Sequence, residues 1–207
     1  MTGLETRTPK PRLDNQSPEL FGQTPSQTVG PFFHYGLPWK GGADLVGKSD
    51  MGAGEVIDLR GRVLDGQGEA LPDAMLEIWQ ANAAGRYASL ADRRDDIPLD
   101  PHFIGFGRAA TAAAGEFHFR TIRPGRVPGP DGALQAPHIA LSVFGRGLLK
   151  RLVTRIYFSD CVENDADPIL RCVPAWRRGT LIAQRRGSDW WLDIVLQGPG
   201  ETVFFAL

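Results

Sequence analysis

Cysteine is nearly missing from this chain, with Cys161 and Cys172 the only two among 207 residues. A reducing compartment keeps such a pair as thiols; their separation permits a loop disulfide, but free thiols are the simpler expectation. A run of about eighteen apolar residues is also missing, which excludes a transmembrane helix. Met1 to Leu20 is polar and proline-bearing with no hydrophobic core segment, so no secretory signal is expected and the cytoplasm is the expected location. Charge excess is absent too. The formal net charge is −1 and no basic stripe runs along the chain, which argues against nucleic acid or an anionic membrane as partner.

What is present suits short strands joined by turns: 42% hydrophobic residues, 25 glycines and 16 prolines. Residues 1–23 carry Pro9, Pro11 and Pro18 among polar side chains and bury too little to order by themselves, so a flexible tail is expected there. Residues 24–207 contain no internal linker and are read as one domain. That domain opens on Thr24-Pro25-Ser26-Gln27-Thr28-Val29-Gly30-Pro31, a stiff extended arm that runs into the aromatic pair Phe32-Phe33.

Strand patterns then follow one another. Glu55 to Val63 alternates, with Ile57, Leu59 and Val63 on one face, and Leu64-Asp65-Gly66-Gln67-Gly68 reads as a hairpin-type turn. Ala74 to Ala81 is a nearly continuous apolar run with Trp79 as a core body. Glu77 lies within it, and such a carboxylate usually faces a rim or pairs with an arginine. Ser89 to His102 is a long charged loop. Gly105 to Ala110 and Glu116 to Thr121 flank a turn, with Phe117 and Phe119 inward and His118 outward. Leu152, Thr154, Ile156 and Phe158 alternate with Val153, Arg155 and Tyr157, and Thr180 to Gln184, Trp190 to Leu196 and Thr202 to Phe205 complete the set. Nine or so such runs with few helical windows predict an all-β fold, a β-sandwich with long irregular loops.

The sharpest stretch is Gln135-Ala136-Pro137-His138-Ile139-Ala140-Leu141-Ser142-Val143-Phe144. Period-two alternation puts His138 and Ala140 on one face of a strand, where two histidines would offer two nitrogens to one metal; here there is one. With Gly85-Arg86-Tyr87, Pro124-Gly125-Arg126-Val127-Pro128, the Thr-Pro-Ser-Gln-Thr arm and the ending Glu201-Thr202-Val203-Phe204-Phe205, the chain resembles the intradiol ring-cleaving dioxygenases, and within them the alpha type of subunit. Members that catalyse hold a non-haem ferric ion with two tyrosines and two histidines. Those positions fall here on Tyr87, Val127, His138 and Ala140, so two of the four carry hydrocarbon side chains.

The resemblance therefore implies a chain with no catalytic and no metal-ligating residues of its own, inactive alone. Its expected place is a hetero-oligomer with a beta subunit that holds Fe3+, the pair cleaving protocatechuate with O2. It further implies substrate contact through Thr28, Gly30 and Pro31 of the arm, which would line the mouth of the neighbouring iron pocket. Arg155 is a plain surface cation by pattern alone; the resemblance places it near that shared pocket, where a guanidinium would suit the substrate carboxylate. Two other readings stay open from the residues: a catalytic chain with substitute ligands such as His102 or His118, and a β-sandwich binding module with no enzymatic role.

Overall fold

The computed structural model describes residues 25–30, 32–47, 54–129 and 132–206. Among them, nine strands carry the fold. They are β1 (Val56–Leu64), β2 (Met75–Trp79), β3 (Phe106–Ala110), β4 (Glu116–Ile122), β5 (Ile139–Phe144), β6 (Leu152–Phe158), β7 (Ile182–Arg186), β8 (Asp189–Trp191) and β9 (Ile194–Val195). Among the described residues helix is confined to the short turns α1 (Phe33–Gly36) and α2 (Pro168–Arg171) and two 3-10 segments, Val162–Ala166 and Ala175–Leu181.

Hydrogen-bonded neighbours run β3-β2-β5-β6-β7-β8-β1-β4, with β9 added beside β1. The two ends of that path, β3 and β4, are consecutive in the chain and joined by a tight turn in which Ala112 N–H donates to Glu116 C=O at 2.8 Å. A path whose ends meet must bend back on itself, so β3-β2-β5-β6 and β7-β8-β1-β4 form two layers, hinged by a parallel pairing of only two residue pairs between β6 and β7. The expected β-sandwich is what forms.

Alternation explains what fills the space between the layers. On β5, Ile139, Leu141 and Val143 are fully buried, and on β1 Leu59 and Val63 are as well. Phe119, Ile78, Ile156 and Trp190 meet them from the other strands in one continuous core. Burying each such side chain contributes about 1.5–3 kcal/mol before its ordering cost.

Residues 38–45 finish the sandwich as a strap over its open seam. Gly42 C=O accepts from Arg108 N–H of β3 at 2.8 Å, while Ala43 C=O accepts from Arg120 N–H of β4 at 2.9 Å and Leu45 N–H donates back to Arg120 C=O at 2.8 Å. Both terminal strands thus have their outward backbone groups engaged at this point.

Four expectations need correction. The turn after β1 closes only a single antiparallel bridge, Leu64 with Ala70, because β1 pairs with β4 and β8 instead of β2. Thr202 to Phe205 is extended but not a strand: it is held by isolated bonds, Thr202 N–H to Val195 C=O and Phe205 N–H to Val153 C=O. Tyr157 breaks the alternation of β6 and is fully buried, since residues 162–181 cover that outer face. Trp79 is half-buried on the outer face of β2 rather than in the core.

Several smaller readings stand as expected. Glu77 pairs with Arg108, its cross-strand partner, through Arg108 Nε at 2.8 Å. His118 points outward and meets Asp58 across β1 and β4. Cys161 and Cys172 are both free thiols. No helix among the described residues is long and apolar enough to cross a membrane.

Candidate functional site

The outer faces of β2, β5 and β6 carry the site, and strand register assembles it. Trp79 pairs with Ala140, and Ala140 with Arg155, so indole, methyl and guanidinium stand in one row across three strands. His138 lies immediately before β5, its ring 5.7 Å from that of Tyr157. Its Nδ1 is 2.8 Å from Ala136 C=O, which identifies Nδ1 as the protonated nitrogen of a neutral imidazole.

Two loops deliver the rest, and glycine lets them interlock. Gly85 has φ +85°, and a Cβ there would stand 2.0 Å from Arg126 C=O; a Cβ on Gly125 would stand 2.4 Å from Ala83 C=O. Only two glycines allow the backbones this close. Asn82 locks the junction: its C=O accepts from Gly125 N–H at 2.9 Å, and its side-chain oxygen accepts from Arg86 N–H at 2.9 Å. The motifs Gly-Arg-Tyr and Pro-Gly-Arg-Val, whose first residues lie 39 positions apart in the chain, thereby set Tyr87 and Val127 in the wall of one cavity.

That cavity measures about 430 Å³ and is lined by Trp79, Tyr87, Ser89, Arg93, Val127 and Pro128 among others. Trp79 and Tyr87 stack nearly parallel, centroids 5.8 Å apart and planes 11° apart. Asp92 ties the loop down: it accepts from Tyr87 N–H at 2.9 Å and takes both Nε and Nη2 of Arg94. The Arg94 bond holds the Asp92 carboxyl far below the usual carboxylate range.

Arg155 dominates the electrostatics. Its Nη1 donates to Gln135 Oε1 at 2.6 Å, and Gln135 in turn donates to Pro128 C=O at 3.0 Å, so the cation is steered by a neutral relay and carries no carboxylate partner among the described residues. Burial drops His138 to about 4, and the Arg155 charge pushes the same way. Burial raises the phenols of Tyr87 and Tyr157, with Arg155 opposing both shifts. At neutral pH the group is one guanidinium among neutral rings.

Behind it Asp167, fully buried, accepts from Tyr157 OH at 3.1 Å, from Ala136 N–H at 2.8 Å, and from Ile169 and Leu170 N–H at 3.0 and 2.7 Å. One carboxylate therefore fixes α2, the approach to β5 and the Tyr157 hydroxyl together. Gln135, Tyr157 and Asp167 were not marked as site residues by sequence reasoning. Asp167 before Pro168 was legible as a helix cap, an acidic N-cap followed by proline at the first helical position.

The four metal-type positions thus come together, with Arg155 beside them. A ferric ion suits phenolate and imidazole donors. Here Val127 and Ala140 present no lone pair, Tyr87 is held as a phenol, and a fixed positive charge occupies the neighbourhood; these residues do not fit a ferric ion. The substitute ligands do not repair the set, since His118 lies on β4 in the other layer, bound to Asp58, and His102 is exposed on the long loop.

The arm is elsewhere. Thr28 Oγ1 accepts from Gly147 N–H at 2.8 Å, beyond the far end of β5 from His138. At about 3.3 Å per residue that is roughly 20 Å or more from this chain's own cluster. Gly30 is exposed nearby in the chain, and Pro31 lies outside the described residues.

The family described as Dioxygenase matches residues 29–191. Fold, motif order and this match agree, and the chain belongs to the intradiol dioxygenase family. Within it, the protocatechuate 3,4-dioxygenase alpha chain of Burkholderia cepacia is 43% identical over 198 residues, covering 88% of this chain and 96% of that protein. The beta chain from the same organism is 36% identical over 206 residues, covering 93% and 82%. Among solved structures, hydroxyquinol 1,2-dioxygenase from Pseudomonas putida DLL-E4 superposes with a TM-score of 0.59 at 23% identity, a likeness of fold. That alignment covers 83% of this chain and 65% of that one, so the chain spans less than two thirds of it.

Proposed function

We propose that this chain is the alpha-type subunit of a two-chain protocatechuate 3,4-dioxygenase in the cytoplasm, and that its beta-type partner holds the ferric ion. The reaction is intradiol cleavage of protocatechuate by O2 to 3-carboxy-cis,cis-muconate. One observation carries the reading: in the row Trp79-Ala140-Arg155 a guanidinium stands beside positions where catalysing relatives would need metal donors. No step of the reaction is assigned to residues of this chain.

Its share is positional. The arm is anchored through Thr28 Oγ1 on the β5–β6 turn, beyond the far end of β5 from His138, which supports its serving a neighbour's pocket through Thr28, Gly30 and Pro31. Arg155 supplies a guanidinium free of carboxylate partners for the substrate's carboxylate. Such contacts act through orientation of the bound ring. The homology of alpha and beta relatives favours a pseudo-symmetric pair in which equivalent surfaces meet.

Oxygen uptake on protocatechuate decides the matter. The beta-type chain with this chain is expected to turn over, and this chain alone is expected to show neither uptake nor stoichiometric iron by metal analysis. Iron-dependent turnover by this chain by itself would overturn the reading. In the assembled complex, Arg155→Ala is expected to raise KM for protocatechuate; an unchanged KM and kcat would remove Arg155 from the substrate site.

A further inference from the structure

Two differences separate this centre from one that holds a ferric ion, and they differ in kind. Val127 and Ala140 take away donors, whereas Arg155 brings in a charge. The donors that remain keep a ligand's posture. His138 Nδ1 gives its proton to Ala136 C=O at 2.8 Å, which leaves the Nε2 lone pair available, the way a backbone carbonyl orients a metal-binding imidazole. Tyr87 is fixed by its stack on Trp79 and by the bond from its N–H to Asp92. Arg155 pairs across the sheet with Ala140, about one strand spacing or roughly 5 Å from the position of the lost imidazole. Its charge acts on Tyr87, His138 and Tyr157 alike.

We propose that the Arg155 guanidinium serves as the internal cation of this centre and is the element that bars the ferric ion, so that restoring the two lost donors does not by itself restore metal binding. A guanidinium keeps its proton at any working pH, so the charge cannot be shed to admit a metal. Its Nη1 is already steered onto Gln135 Oε1 at 2.6 Å, and no carboxylate among the described residues neutralises it. A ferric ion with two phenolate ligands retains one net positive charge. Two such charges about 5 Å apart, at an effective dielectric constant of about 20, weaken metal binding by about a hundredfold or more. The consequence is a sorting of metal between two homologous chains: this one does not compete for the iron that its partner needs. The inference rests on the reading that the beta-type partner holds the ion, and not on any contact between Arg155 and substrate. Oxygen uptake with the beta-type chain tests that reading, whereas iron content of this chain's own variants tests this one.

The test is iron loading of the full chain, by incubation with ferrous ammonium sulfate in air, gel filtration, metal analysis and the visible phenolate-to-iron band. Val127→Tyr with Ala140→His, Arg155 retained, is expected to hold no stoichiometric iron and show no band. Adding Arg155→Gln is expected to bring both, with iron affinity, read by competition with nitrilotriacetate, higher by about a hundredfold or more. Arg155→Lys on the same background keeps the charge without the planar fork and is expected to stay free of iron. Val127 is buried and a tyrosine there has to fit a packed wall, so a second series uses the half-buried position alone: Ala140→His with and without Arg155→Gln, compared by the same competition. Melting temperatures establish which variants are folded. Equal iron affinity with and without Arg155 in either series, iron binding by Arg155→Lys as tight as by Arg155→Gln, or folded Arg155→Gln variants of both series that take up no iron would each overturn the proposal.

Discussion

Replacing Gly85 with alanine isolates the contact on which the site is built. Its backbone has φ +85°, a left-handed conformation that costs an L-residue about 1–2 kcal/mol. The added methyl would also stand 2.0 Å from Arg126 C=O, so one of the two loops must shift, an overpacking cost of about 1–3 kcal/mol. The expected total is about 2–5 kcal/mol. Gly187→Ala supplies the control, because Gly187 has φ +64° with nothing within 4 Å of a built Cβ and carries the conformational cost alone. In urea, with a slope of about 2 kcal/mol/M, the midpoint is expected to fall by about 1–2.5 M for Gly85→Ala and by about 0.5–1 M for Gly187→Ala. Equal midpoints for the two variants would refute the interlocking of the Gly-Arg-Tyr and Pro-Gly loops.

Asp167→Ala removes the acceptor of four hydrogen bonds from the interior and is expected to destabilise by about 3–5 kcal/mol, against about 1 kcal/mol for Tyr157→Phe, both measured by urea unfolding. His138 is depressed to about 4 in the folded state against an ordinary 6.5, so the unfolded chain binds the extra proton between those values. Stability is therefore complete above pH 6.5 and falls as pH drops toward 4, by about 3 kcal/mol in all; a His138→Gln variant is expected to flatten that slope. Removing the neighbouring cation in Arg155→Gln is expected to raise the His138 pKa, read from imidazole NMR shifts, and an unmoved titration would show that the two groups do not interact.

The layers were legible because burial on one face writes a period of two, as in Ile139, Leu141 and Val143, and the nine strands of the structure sit where such runs occur. Pairing was not. That β1 chooses β4 and β8 over the adjacent β2 depends on contacts far apart in the chain, which no local pattern carries. Tyr157 misleads for a related reason: a residue on the outer face reads as exposed until residues 162–181 fold across it. At the site, motif order located Tyr87, Val127, His138 and Ala140, and the structure sets them together. The Gln135 relay and the Asp167 carboxylate remained out of reach, since a side chain's hydrogen-bond partners come from separate strands and loops. Arg155 shows the middle case, identifiable as a cation on a strand but not as a charge steered by a neutral amide.

The strap over residues 38–45 bears on how any other polypeptide can approach. With Arg108 and Arg120 amides already satisfied by Gly42 and Ala43, the seam offers little template for an incoming strand, and sheet-to-sheet oligomers or fibrils started there are discouraged. Recognition of this molecule then has to proceed through side chains and loop surfaces, a mode that discriminates between similar chains where main-chain pairing would accept almost any extended peptide.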